Sequence, residues 1–126
     1  MAADVVFPLI RTLDGRRTIY KFFSGRDDFK VGEIYIVDYL SVENDEWITH
    51  ERNSLILVAI VGDFTITIRS NIEGQLEKFI LCAGDPRVVD IPPLTTFNIS
   101  TDTVGSKLLC VMNGVHDNSE YTKRVY

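Results

Sequence analysis

Short apolar runs, separated by glycine, proline and acidic residues, recur along the chain about every ten residues, a spacing typical of all-β domains. From Glu33 onward "EIYIVDY" alternates with the period of a half-buried strand. "SLILVAIVGDFTITIRS" predicts two strands that form a hairpin at Gly62-Asp63. Further strands are predicted in "QLEKFILCAGDPRVVDIPP", "TTFNIS" and "SKLLCVMNGV", whereas a helical period is indicated for one turn only, near "DNSEYTKRV". The pattern predicts a single all-β domain over residues 1–126, an antiparallel barrel or sandwich of the jelly-roll type.

Composition narrows the range of partners. The formal net charge is −5, whereas nucleic acids and anionic membranes bind basic surfaces, so neither is expected as a partner. An anionic small molecule would need a local cluster of arginines. No apolar stretch reaches the ~18 residues of a membrane-spanning helix, and the first residues lack the apolar core of a secretory signal, so we expect a cytoplasmic protein. Cys82 and Cys110 lie in apolar runs, which favours buried free thiols.

The clearest candidate for chemistry is His50, which stands in "DEWITHERN" directly before an apolar strand. It could be an acid–base group at a pocket mouth, a metal ligand, or a strand-edge residue that is hydrogen-bonded to backbone. The chain contains only one other histidine, His116, so a metal site of three imidazoles cannot be assembled. We therefore expect no metal.

Four segments together carry a family resemblance over almost the full length: "DEWITHERNSLILVAIVGDFTI", "LCAGDPRVVDIPPLTTFNISTD", "KLLCVMNGVHDNSEYTKRVY" and the opening "TLDGRRTIYKFF". They resemble the metal-free sugar cupins, namely the TDP-4-keto-6-deoxyhexose 3,4-ketoisomerases and the wider 3,5-epimerase-like group. His50 stands at the second position of the family's His-x-His pair, and Ile48 at the first. The resemblance implies a cupin-type antiparallel jelly roll and a cofactor-independent isomerase or epimerase in deoxysugar and surface-polysaccharide biosynthesis. The alternative is a non-catalytic module that binds a sugar or a nucleotide sugar.

Within this interpretation His50 and Tyr35 are the predicted catalytic residues. His50 would remove the proton alpha to the ketone of a nucleotide-linked sugar, and Tyr35 would stabilise the enediolate. Tyr35 could instead be a core tyrosine whose hydroxyl is satisfied by a hydrogen bond. Glu33 is two residues before Tyr35 and shares its face of the strand, so it is predicted to line the same lumen and contact substrate.

Three further residues are predicted to bind substrate. Arg52 shares the parity of His50 and could bind phosphate, although a solvated strand-edge charge is the alternative. Arg17 could reach a diphosphate from a turn, or simply be solvated there. Trp47 could stack on a base or sugar ring, or be buried at a dimer interface. The aromatic strands "TIYKFF" and "EIYIVDYL" favour a two-fold homodimer.

Overall fold

The structure is a computed structural model, and it describes residues 5–8, 10–13, 18–21, 30–43, 46–69, 75–85, 87–115 and 121–125. Every regular element among them is a strand, so the all-β prediction is confirmed. The strands are β1 (Val5–Pro8), β2 (Ile10–Leu13), β3 (Thr18–Lys21), β4 (Glu33–Asp38), β5 (Glu46–His50), β6 (Leu55–Val61), β7 (Asp63–Arg69), β8 (Leu76–Cys82), β9 (Arg87–Ile91), β10 (Thr96–Ser100), β11 (Lys107–Met112) and β12 (Tyr121–Val125).

The strands form two antiparallel sheets of five strands each and a small two-stranded sheet of β2 and β3. The first sheet has the order β1-β9-β6-β11-β4, and the second has the order β12-β5-β10-β7-β8. The chain passes repeatedly from one sheet to the other, since β4, β6, β9 and β11 belong to the first sheet and the strands that follow each of them to the second. This alternation is the jelly-roll arrangement that the pattern predicts.

The hydrophobic core lies between the two sheets, to which both contribute one face. β6 runs from Leu55 to Val61, and Leu57 and Ala59 on its inner face are buried against Phe64, Phe97 and Leu108. The outer face of the first sheet is also apolar, with a second buried cluster made of Ile56, Val58, Val88 and Val111. Because β6 is apolar on both faces, it forms the centre of its sheet, flanked by β9 and β11.

The predicted hairpin at Gly62 is wrong in its pairing, although the break in the chain falls where the sequence indicates. β6 and β7 do not pair with each other: β6 pairs with β9 and β11, and β7 pairs with β8 and β10. Gly62 therefore marks a corner at which the chain crosses between sheets, and its positive φ of 79° is a conformation that favours glycine. Each flanking strand already pairs with two other strands, so neither has an edge left to pair with the other.

The helical turn near the C-terminus is also wrong where the structure describes it. Tyr121–Val125 is a strand, β12, paired with β5 over its whole length. Residues 117–120 of the same segment lie outside the described residues. The backbone N–H and C=O groups of this short polar segment are hydrogen-bonded through its pairing with β5. The periodicity of the segment itself gives no sign of that pairing.

Candidate active site

A cavity of about 490 Å³ opens between the two sheets, at the side where β4 and β11 face β5 and β10. Its walls are largely apolar and its mouth carries charged side chains. The described residues that line it are Tyr35, Val37, Asp38, Tyr39, Leu40, Ser41, Glu43, Glu46, Ile48, His50, Leu55, Phe97, Ile99, Leu108, Cys110 and Lys123. A concave, mostly apolar space with a few polar groups is the usual form of a small-molecule site.

β5 supplies one wall of the cavity and is held on both sides, by β12 and by β10. The Thr49 and Thr96 hydroxyls are 2.7 Å apart across the β5–β10 pair, and the buried Asn98 side chain donates to the Glu46 carbonyl at 2.8 Å. Since side chains alternate along a strand, Glu46, Ile48 and His50 share the face that lines the cavity.

His50 is the last residue of β5 and is 5% exposed. Its imidazole stacks on Phe97, with ring centroids 6.2 Å apart and planes inclined by 13°. Its backbone carbonyl accepts a hydrogen bond of 2.7 Å from the Leu94 amide. β5 is an interior strand of its sheet, so His50 is not on a sheet edge. The ring is oriented by packing and faces the cavity, as an acid–base group requires.

Tyr35 lies on β4, directly opposite Cys110 of β11, and both side chains line the cavity. Their polar groups are close enough to interact, since each affects the pKa of the other. Burial, ahead of the nearby charges of Cys110 and Glu33, raises the pKa of Tyr35 well above its usual value. Burial likewise raises the pKa of Cys110 to about 12. At neutral pH both groups hold their protons, so Tyr35 can donate a hydrogen bond and Cys110 is not a thiolate nucleophile.

Tyr39 and Glu46 lie close together in the cavity. Burial, then the charge of Cys110 and that of Glu46, raises the pKa of Tyr39 to about 12, so Tyr39 lies near Glu46. Tyr35 precedes Tyr39 by two inward positions, and His50 follows Glu46 by two, so both are displaced from the Tyr39 end.

The cavity mouth is acidic. Asp38, Glu43 and Glu46 line it, and among the described lining residues Lys123 is the one lysine or arginine. Lys123 lies 3.7 Å from Glu46, and Lys107 forms a 2.8 Å ion pair with Asp38. These pairs are exposed and weak, but they offset part of the negative charge at the opening.

The other predicted substrate-binding residues do not line the cavity. Glu33 shares the inner face of β4 with Tyr35, as the alternation predicts, and its charge acts on Tyr35, but it is not among the described lining residues. Trp47 is on the opposite face of β5 from His50. Arg52 is exposed in the bend that follows β5. Arg17 lies outside the described residues.

Sequence reasoning missed Tyr39, Cys110 and the acidic mouth. Tyr39 could have been found, because it continues the alternation of Tyr35 and Val37 along one strand face. Cys110 could not, because only the register of β4 against β11 brings it to Tyr35.

In the described part of the chain, no group of three or more His, Cys, Asp or Glu side chains is placed to hold a metal ion. That part also contains no helix that could span a membrane.

Comparison with solved structures identifies the architecture. The chain superimposes on the WlaRB TDP-quinovose 3,4-ketoisomerase from Campylobacter jejuni with a TM-score of 0.78 and 17% identity, covering 93% of this chain and 89% of that one. A dTDP sugar isomerase from Desulfovibrio desulfuricans gives 0.75 and 15%, covering 98% and 82%. The predicted cupin fold is confirmed.

A third solved structure shares this architecture, the 3′-monoepimerase ChmJ from Streptomyces bikiniensis in complex with dTDP-quinovose. It has a TM-score of 0.76 and 13% identity, and the match covers 92% of this chain and 66% of that one. The sequence itself matches no protein-family model and no curated protein. At these identities the likeness is one of fold.

Proposed function

We propose that the protein is a cofactor-independent isomerase or epimerase that acts on a nucleotide-linked 4-keto-6-deoxyhexose. The observation that carries the proposal is that an oriented imidazole, His50, and a protonated phenol, Tyr35, line one largely apolar cavity. A base and a hydrogen-bond donor in a water-poor space are what enolisation of a ketone needs. That solved sugar-nucleotide isomerases and an epimerase share the fold is consistent with it.

In the proposed reaction His50 removes the proton from the carbon next to the ketone. The electron pair of that C–H bond moves to form the enediolate, whose oxygen accepts a hydrogen bond from the Tyr35 hydroxyl. Return of the proton to the former carbonyl carbon, with transfer of the neighbouring hydroxyl proton to the former carbonyl oxygen, moves the ketone. Return to the original carbon from its other face inverts that centre instead. Both outcomes are redox-neutral overall and use only the acidity that the ketone provides.

In this proposal the nucleotide part of the substrate is bound by residues at the mouth of the cavity and outside it. Arg52 follows His50 by two residues in an exposed bend, where a guanidinium could pair with a diphosphate. Arg17, Glu33 and Trp47 stay predictions for substrate contact, and Trp47 would need to act from the far side of β5. Solved relatives by fold include the QdtA 3,4-ketoisomerase from Thermoanaerobacterium thermosaccharolyticum in complex with TDP, which supports TDP as the first nucleotide to test. We place the reaction in cytoplasmic deoxysugar synthesis for surface polysaccharides.

The test is proton exchange of TDP-4-keto-6-deoxyglucose in D2O, followed by NMR at carbons 3 and 5. The wild type should introduce deuterium at one of them, and His50→Asn should abolish this while changing the free energy of unfolding by no more than about 1 kcal/mol. Tyr35→Phe should slow exchange about 10²-fold, by removal of an oxyanion donor. Tyr39→Phe removes the same hydroxyl from the Glu46 end of the cavity and should retain exchange. Wild-type protein that leaves carbons 3 and 5 fully protonated would refute the enzyme.

Two observations favour a second candidate, a non-catalytic sugar-binding module. Ile48 faces the cavity where the resembled enzymes have a histidine, which leaves one imidazole among the described lining residues. The mouth has three carboxylates, which oppose an incoming diphosphate. Titration calorimetry with TDP and with free 6-deoxyhexoses separates the two. The module should bind a free sugar without exchanging its protons, whereas the enzyme should bind TDP.

A further inference from the structure

Cys110 is the side chain that the β4–β11 register places opposite Tyr35. The two residues are direct cross-strand partners in the β4–β11 pair, a position in which Cβ atoms approach to about 5 Å. Both point into the cavity, and the thiol is 3% exposed. The contact is therefore built into the sheet register and needs no flexible loop to form.

We infer that Cys110 is a positioning residue, which holds the Tyr35 hydroxyl toward the cavity and releases it to the substrate oxygen. The inference rests on the proposed function for the role of Tyr35. It follows from the chemistry of sulfur, which is a weak hydrogen-bond acceptor and, as S–H, a weak donor. A phenol that donates to sulfur is fixed in direction, yet exchanges this bond readily for the stronger, charge-assisted bond to an enediolate oxygen.

The surroundings explain why a thiol fits this position. Cys110 belongs to the apolar core cluster, and the other residues of β11 and β6 that line the cavity are Leu108 and Leu55. A thiol buries there like a small hydrophobe, whereas a carboxylate or an amide would hold the phenol more tightly or require partners of its own. Because its pKa is raised, Cys110 keeps its proton and can donate to the Tyr35 oxygen once the phenol proton has turned to the substrate.

A readout without substrate tests the contact itself. Protein labelled with ¹³C at the tyrosine Cζ carbons gives a resonance for Tyr35 that is assigned by its loss in Tyr35→Phe. Cys110→Ala should move this resonance and Cys110→Ser should keep it near its wild-type position, because the serine hydroxyl can still bond the phenol. Cys82→Ala, which changes the cysteine that lies outside the cavity, should leave it in place. A Tyr35 resonance whose chemical shift is the same in Cys110→Ala as in the wild type would overturn the inference.

Exchange kinetics test the consequence. Cys110→Ala should lower the maximal exchange rate about five- to ten-fold, the worth of one hydrogen bond, with KM within about two-fold. Cys110→Ser should recover most of the rate, and Cys110→Ala should cost nothing further in a Tyr35→Phe background. If Cys110 only filled space, serine would be worse than alanine in this apolar site, and both would act regardless of Tyr35; that ranking contradicts the inference.

The two proposals fail separately. If the wild type shows no exchange but the Tyr35 resonance responds to Cys110→Ala and not to Cys110→Ser, the proposed enzyme is wrong and the positioning of the phenol stands. If exchange occurs but Cys110→Ala alters neither the rate nor the resonance, the enzyme stands and the role of Cys110 is wrong.

Discussion

Substitution of Gly62 by alanine should destabilise the protein through the corner that joins the two sheets. Gly62 has a φ of 79°, and a Cβ added there would collide with the Ser106 Oγ and lie 2.9 Å from the Ser106 Cβ. Two other glycines separate these effects. Gly105 also has a positive φ, 90°, but no atom within 4 Å of an added Cβ, and Gly84 has neither constraint.

The expected magnitude is the sum of three contributions. An L-residue in the left-handed region costs roughly 1–2 kcal/mol. Moving Ser106 disturbs its hydrogen bonds to the Thr103 carbonyl, at 2.8 Å, and to the Thr101 hydroxyl, at 3.0 Å, in a site where Ser106 is 1% exposed. Each such bond is worth about 1 kcal/mol. Alanine also lowers the conformational entropy of the unfolded chain, which stabilises the folded protein by roughly 0.4–1 kcal/mol. Gly62→Ala should therefore cost about 2–3 kcal/mol.

Urea unfolding at fixed pH measures the three variants against the wild type. Gly105→Ala should cost about 1 kcal/mol, and Gly84→Ala should be neutral or slightly stabilising. The double variant Gly62→Ala with Ser106→Gly should be less destabilised than the sum of its parts, since the collision is gone. If Gly62→Ala costs no more than Gly105→Ala, the contact with Ser106 is not the source of strain and the reasoning fails.

Three further predictions address the site and the assembly. Ile48→His should raise the rate of deuterium exchange, because it restores a second imidazole to the cavity wall; an unchanged rate would argue that the cavity does not admit the nucleotide. Burial raises the pKa of Cys110 from 9.0 to about 12, so its contribution to stability is complete below pH 9 and is lost as the pH rises toward 12. Between pH 9 and 11 the free energy of unfolding should fall less steeply with pH in Cys110→Ala than in the wild type, by the slope that corresponds to about one bound proton. Equal slopes in the two proteins would contradict this. Ile34 and Ile36 are 61% and 56% exposed on the edge strand β4, so light scattering at micromolar concentration should give a dimer mass, and a monomer mass would refute the homodimer.

The strands could be predicted from the sequence because their signal is local. Alternation along β4 and the apolar run of β6 each fix an element without reference to the rest of the chain. The partner of each strand is not local. Nothing in "VAIVGDFTI" indicates that the chain changes sheets at Gly62, since that depends on the registers of four other strands. The same holds for Tyr121–Val125, whose polar sequence forms a strand by pairing with β5, a segment far away along the chain.

The residues of the candidate site show the same difference between local sequence signals and long-range strand pairing. The sequence could place His50 and Tyr35 at the cavity because each has an inward position on a predicted strand. Parity also places Trp47 on the face opposite His50, so that signal was present in the sequence. Glu33 has the correct parity but is not among the described residues that line the cavity. The position of the cavity along β4 depends on how the two sheets pack, which the alternation within one strand does not reveal. Cys110 becomes meaningful only through its register with Tyr35.

Charge at the mouth is what separates the enzyme from the sugar-binding module. Asp38 and Glu46 have lysine partners, so Glu43 is the lining carboxylate for which the described ion pairs include no lysine or arginine. A diphosphate that enters here must gain more from arginines, such as Arg52, than it loses to the carboxylates. Salt reveals which dominates, because screening weakens attraction and repulsion alike. For the enzyme, the affinity for TDP should fall as NaCl rises from 0.02 to about 0.3 M, and Arg52→Gln should flatten that dependence. An affinity that rises with salt would mean that the carboxylates control the opening, and the natural ligand would then be an uncharged sugar.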